Sequence, residues 1–270
     1  LIGTFETTQV QDMSYMFQNC QQLSSLSVAS FRTGKLTTMA HMFENCTKLA
    51  SMDVSTFSLE AMESTAYAFS NCTSLATFKL DSGTSSSTDR AHNLKNMEYT
   101  FANCTSLTNF SQPNRLGTSS ALTNISHMFE NCAKLNYIDA TFLDDVTGVT
   151  NMDSMFSGCT GATEIGICDW TTNSTAAFTV DKMFFNCQNV VKINVGSGWN
   201  AGSRMTANDY MFMACYKVRG ADGTTYSNGL TPGSSAFAKV GNTGYLTAKN
   251  QLWGTSTAFW SLDYTGVLTL

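Results

Sequence analysis

The chain has 270 residues, 43% hydrophobic but only 13% charged, about half the usual charged share, so a core can be buried while Ser, Thr, Asn, Gln and 19 Gly cover much of the surface. Fifteen basic against twenty acidic side chains leave a net charge of -5 with the basic residues scattered, which argues against a nucleic acid or an anionic membrane as partner. No apolar run approaches the roughly 18 to 20 residues of a membrane span, and the start LIGTFETTQV has neither the basic nor the apolar region of a signal peptide.

Phe5 lies fifteen residues before Cys20, as Phe31 lies fifteen before Cys46, and Ile2 matches Val28 by the same offset. The chain is therefore expected to open inside a strand-to-turn segment, as part of a longer or processed protein. Its first edge is expected to be covered by another unit or another chain, because terminal repeats otherwise expose apolar surface.

Nine cysteines cannot pair completely within one chain. Eight of them, Cys20, Cys46, Cys72, Cys104, Cys132, Cys159, Cys187 and Cys215, follow one another at 26, 26, 32, 28, 27, 28 and 28 residues, the mark of a repeat array. Only Cys168 lies off this ladder. Three residues before each ladder cysteine stands a phenylalanine: Phe17, Phe43, Phe69, Phe101, Phe129, Phe156, Phe184 and Phe212.

Within a unit, Met13, Met16, Phe17 and Cys20 fall at i, i+3, i+4 and i+7, which predicts a short helix with one apolar face. The residue before that face is Asp12, Thr38, Ser64, Asn96, Asn124, Asn151 or Thr179 in seven units, all types that accept hydrogen bonds from first-turn N–H groups. After the cysteine the period changes. Leu23, Leu26 and Val28, then Leu49, Met52 and Val54, then Leu75, Phe78 and Leu80 carry the L-x-x-L-x-L spacing that predicts a short parallel strand per unit. Leu135, Ile138 and Ala140, and Val190, Ile193 and Val195, repeat it, and an inward aromatic usually follows: Phe31, Phe57, Phe142, Trp170 or Trp199. Beyond about residue 221 the repeat fades into a Gly- and aromatic-rich tail with Trp253, Phe259, Trp260 and Tyr264, read as a cap of short strands over the last unit or a sticky patch for a partner.

The segments MSYMFQNCQQLSSLSV, MAHMFENCTKLASMDV and MDSMFSGC resemble the BspA-like leucine-rich-repeat surface proteins, in the branch with a Met-x-x-Met-Phe-x-x-Cys consensus. The resemblance covers roughly residues 1 to 220. SQPNRLGTSS, GATEIGICDW and VRGADGTTYSNG depart from the pattern. It implies an extracellular or surface-displayed solenoid engaged in adhesion and protein binding, with no catalytic residues to carry over. The expected fold is thus α/β, a leucine-rich-repeat solenoid over residues 1-220 with short parallel strands on one face and short helices on the other. Residues 221-270 are expected to form its C-terminal cap.

The outward strand positions Ser27, Asp53, Lys79, Ser111, Asp139, Gly166 and Asn194 form a mixed polar row that suits a protein or carbohydrate surface, since repeat proteins often bind through such a face; it equally suits a merely solvated sheet. Trp253 and Trp260 are further binding candidates. The ladder cysteines are expected to be buried reduced thiols, because no C-x-x-C spacing for a metal occurs. His41 and His127 share one repeat position with Tyr15, Tyr67, Tyr99 and Tyr210, predicting a Tyr/His stripe that packs laterally with wet polar tips or serves as a recognition ridge. Asp144 and Asp145 form an acidic pair that could help hold calcium, although solvation suffices to explain it. The sequons at Asn45, Asn71 and Asn103 fall inside the packed unit, where glycosylation is not expected; others begin at Asn109, Asn124 and Asn173. No G-x-S-x-G, phosphate loop or H-E-x-x-H occurs, so neither an enzyme nor a cofactor is expected. Two functions remain: a surface-displayed adhesion or receptor-binding module, and a structural block that assembles into a fibre, coat or appendage through its first edge and its tail.

Overall fold

In a computed structural model the chain is a parallel β-solenoid. The structure describes residues 6–80, 91–108, 110, 121–140, 142–143, 146–168, 170–173, 175–199, 205–206, 210–221, 223–226, 238 and 246–248, and the backbone at 252–253, 260–262 and 268–269. The strands are β1 (Ser51–Asp53), β2 (Thr77–Lys79), β3 (Tyr137–Asp139), β4 (Glu164–Ile167), β5 (Phe178–Thr179), β6 (Lys192–Val195), β7 (Met205–Thr206), β8 (Thr247–Ala248), β9 (Leu252–Trp253), β10 (Trp260–Leu262) and β11 (Leu268–Thr269). β1 pairs with β2, β5 with β7, and β3, β4, β6 and β8 lie side by side, all parallel; β9, β10 and β11 form an antiparallel sheet.

The strands follow the predicted alternation. Met52 and Val54 are buried and alternate with the exposed Ser51 and Asp53, and Phe78, Ile138, Ile165 and Ile193 take the inward place of Met52. Ile138, Ile165 and Ile193 are direct register partners, so each coil repeats the previous one a strand spacing away. Phe31, Phe57, Phe142 and Trp170 turn inward as expected. Trp170 keeps its indole satisfied by donating Nε1–H to the Ala140 carbonyl at 2.9 Å, which a buried indole requires.

The predicted helices are overturned. Among the described residues there is no helix, and hence none long and apolar enough to cross a membrane. Each Met-Phe-Cys segment is instead a run of tight turns. Two residues per unit explain why: the one five before the cysteine (Tyr15, His41, Tyr67, Tyr99, His127) and the one directly before it (Asn19, Asn45, Asn71, Asn103, Asn131) have φ between 52° and 63°. Left-handed residues cannot propagate a right-handed helix. The N–H groups consequently alternate. Tyr15, Phe17 and Asn19 donate across to Ala40, Met42 and Glu44 of the next coil at 2.8–3.1 Å, while Met16, Gln18 and Cys20 donate locally to Met13, Tyr15 and Phe17. The side chains predicted as helix caps still cap, but they close turns: Asp12, Asn96, Asn124 and Asn151 each accept the N–H two residues on at 2.7–3.0 Å.

The apolar spacing identified the buried residues correctly while misleading about the backbone. Met39, Met42, Phe43 and Cys46 are all buried, as a helix face would be. Consecutive ladder phenylalanines stack with centroids 5.2–6.1 Å apart from Phe17 to Phe212. Seven ladder cysteines are buried, but Cys20 is exposed and Phe17 is only partly buried, which corrects the expectation for this first unit. The cause is one-sided packing among the described residues: from Cys46 onward each thiol lies over the preceding coil. There its Sγ donates to the preceding phenylalanine's carbonyl at 2.8–3.2 Å.

A second ladder runs beside the thiols. Asn45, Asn71, Asn103 and Asn131 each donate Nδ2–H to the Oδ1 of the preceding coil's asparagine at 2.8–2.9 Å. Asparagine suits this place because it tolerates the left-handed backbone. The ladder stops at Gly158, φ 73°, where a Cβ would run into the Asn131 amide oxygen. Asn71→Ala should cost about 1–2 kcal/mol, since it removes two amide bonds and places Ala in a left-handed conformation. A urea midpoint unchanged from that of the parent would refute this role.

Candidate functional site

Of the outward row, Asp53 and Lys79 are exposed, Asp139 and Asn194 half-buried, and Gly166 is buried, with the strand members aligned from coil to coil by the parallel register. Asp53 is the partner of Lys79, and Asp139, Gly166 and Asn194 are partners across β3, β4 and β6. Lys79 Nζ lies 3.5 Å from Asp53 Oδ2 with both side chains 58% exposed, so the pair is worth little to stability. Ser27 is exposed in the first coil and lines a shallow hollow with Ser25, Ser51, Asp53 and Ser55. The Asp53 carboxyl is held below its ordinary value chiefly by the hydrogen bond from Ser55.

A second outward row, unremarked in the sequence, lies two residues earlier: Tyr137, Glu164 and Lys192 are partners across the same three strands. Tyr137 is 51% exposed. Glu164 Oε1 accepts a hydrogen bond from Asn194 Nδ2, joining the two rows. Burial pushes the Tyr137 hydroxyl above its ordinary value, and the nearby carboxylates of Asp139 and Glu164 add to this.

The Tyr/His stripe is a continuous ring stack. Tyr15, His41, Tyr67, Tyr99 and His127 lie face to face, with centroids 4.1–4.7 Å apart and planes within 14° of parallel. His41 Nδ1 is 2.8 Å from Glu44 Oε2, and His127 Nδ1 is 2.9 Å from Glu130 Oε2. Since each interior ring has both faces covered by rings, the stack presents edges rather than faces to solvent. The stack thus packs its rings laterally from coil to coil. Its register continues through Ser154 and Lys182, where φ is again 55° but no ring is available.

Trp253 and Trp260 are direct partners in the β9–β10 pair; their side chains lie outside the described residues, as do Ser111, Asp144, Asp145 and Asn109. Among the described residues no group of three or more His, Cys, Asp or Glu could hold a metal ion. The Asn45, Asn71 and Asn103 amides are engaged in their ladder. Asn173 is buried, with its Oδ1 accepting from Thr175 and Ala176. The asparagine ladder and the thiol-to-carbonyl bonds escaped the sequence reading, though Asn directly before Cys in six of the eight units is a visible sign of a left-handed position.

A family model described as "Mycoplasma protein of unknown function, DUF285" matches residues 1–110 and 95–222. The chain belongs to this family. The matched residues of this DUF285 member include all eight Phe-x-x-Cys units. A repeat family of this kind agrees with the resemblance seen in the sequence. The leucine-rich-repeat branch does not follow, because the described residues of the coils hold no helix for strand–helix alternation. No curated protein and no solved structure matches the chain.

Proposed function

We propose that this DUF285 member is a surface-displayed, non-catalytic recognition module that binds protein or glycan through the outward face of its strands. One observation carries the reading: the outward residues are held in register from coil to coil while the residues alternating with them form the core. Side chains on such a face can be exchanged without disturbing the fold, and a rigid repeated scaffold limits the ordering cost of binding. The polar composition of the face, with Asp53, Lys79, Asp139 and Asn194, favours hydrogen-bonded recognition over apolar docking.

The test is a solid-phase binding screen of the purified chain against matrix proteins and immobilised glycans. A variant carrying Asp53→Ala, Lys79→Ala, Asp139→Ala and Asn194→Ala is run beside it. Saturable binding by the parent, weakened at least about tenfold in a variant that melts like the parent, is the expected result. Absence of binding across the panel, or binding that the variant keeps in full, would contradict the proposal.

A further inference from the structure

We infer that the outward face of β3, β4 and β6 is a subsite for one residue of a neutral glycan, with Tyr137 as its stacking platform and Asp139, Glu164 and Asn194 as hydroxyl partners. This rests on the recognition reading above and names the ligand class for part of that face.

The register brings the group together. Tyr137 is opposite Glu164 on β4, so Gly166, two residues on, is its diagonal neighbour, within reach of an aromatic side chain. A Cβ placed on Gly166 would lie 3.8 Å from the Tyr137 hydroxyl oxygen and 4.0 Å from Asp139 Oδ1. The hydroxyl end of the tyrosine therefore reaches across to β4, to a position that has no side chain. Tyr137 stays half exposed in this place, which leaves ring surface open to a ligand.

Around this platform stand two carboxylates and an amide. Asp139 follows on the same strand, Glu164 sits opposite Tyr137, and Asn194 is tied to Glu164 by its amide hydrogen bond. A pyranose ring has an apolar face of C–H groups that fits a flat aromatic surface, and a rim of hydroxyls that carboxylates and amides can satisfy. Among the described residues of these three strands, two acids stand against one cation, Lys192, a balance that disfavours an acidic sugar. A peptide strand is disfavoured as well: β4 is already paired on both sides by β3 and β6, so it offers no open edge for strand addition.

The full chain is titrated calorimetrically with cellohexaose, maltohexaose and N-acetylglucosamine hexamer, with an acidic hyaluronan fragment and a mixed peptide library for comparison. At least one neutral series is expected to bind. Tyr137→Ala should weaken it about tenfold or more, and Tyr137→Phe should leave it within about threefold. Gly166→Val, which suits a strand but whose γ-methyl groups extend beyond the Cβ toward the Tyr137 hydroxyl and Asp139, should weaken it about as much as Tyr137→Ala at an unchanged melting temperature. The inference is overturned if only the acidic fragment or peptides bind, or if Tyr137→Ala and Gly166→Val bind like the parent. Should those two variants keep the binding found in the solid-phase screen while a further variant with only Asp53→Ala and Lys79→Ala loses it, recognition stands and the Tyr137 subsite falls. A chain that binds nothing in either assay overturns both.

Discussion

Replacing Phe129 by Ala is expected to destabilise the protein by about 3–5 kcal/mol, whereas Ser27→Ala should cost less than about 0.5 kcal/mol. Phe129 has no exposed surface and stands at the middle of the phenylalanine column. It is stacked between Phe101 at 5.7 Å and Phe156 at 6.1 Å, and meets Phe110 and Phe142 edge-on at 4.8 and 6.1 Å. Truncation removes ring contacts in four directions and leaves a cavity that the neighbouring coils cannot close, because their backbones are held by cross-coil hydrogen bonds such as Phe129 N to Met155 O at 2.9 Å. Ser27, exposed on the first coil, leaves no such void. Chemical denaturation of the two variants measures the difference, and equal midpoints would refute the assignment of inner and outer faces.

Alkaline pH should unfold the solenoid through its thiols. Burial, reinforced by the neighbouring Cys20, pushes the Cys46 thiol from its ordinary 9.0 up to about 11, and burial pushes Cys72, Cys104, Cys132, Cys159 and Cys215 further up. A folded-state value raised above the unfolded one means the folded chain holds its proton more tightly. The Cys46 contribution is therefore fully present below pH 9.0 and is lost as pH rises through about 11; the deeper thiols extend the loss to higher pH. Circular dichroism should show an unfolding transition that begins above pH 9.0. Around pH 8, alkylation of native protein should modify Cys20 more than about a thousandfold faster than the buried ladder thiols, which react only through opening. Comparable rates, or disulfides among the ladder cysteines of untreated protein, would overturn this account.

The two expectations differ in how much of their basis could be read from residues alone. That Phe129 is buried follows from its place three before Cys132 in an eightfold repeat, and this inference holds whatever the backbone does. The thiol chemistry does not follow from spacing. The sequence suggested a small buried hydrophobe, but the second donor to each phenylalanine carbonyl becomes visible only when successive coils are superposed. Cys20 shows the limit of repeat logic: the same motif, with no described coil packed over its thiol, is exposed among the described residues, because burial is a property of neighbours.

The subsite around Tyr137 divides in the same manner. Asp139, Gly166 and Asn194 were legible as outward residues from strand alternation. Tyr137 and Glu164 were not singled out, since a residue outside the apolar pattern acquires meaning only from what the parallel register sets beside it. Gly166 changed from one member of a polar row to a buried position reached by the Tyr137 hydroxyl.

By itself the sequence determined the unit length, most of the inward residues, the strands after Cys46, Cys72, Cys132, Cys159 and Cys187 and the low charge, because repetition and apolar spacing record which side chains must leave water; the strand expected after Cys20 does not form. Tertiary structure decided the path of the backbone between those residues. An i, i+3, i+4, i+7 pattern fits a helix when each N–H bonds within its own segment. It fits stacked turns when alternate N–H groups find carbonyls in the next coil, and left-handed Tyr, His and Asn residues let them do so. Those bonds, the ring stack and the asparagine ladder exist only between coils, so the choice between helix and turn was made by neighbours that no single unit contains.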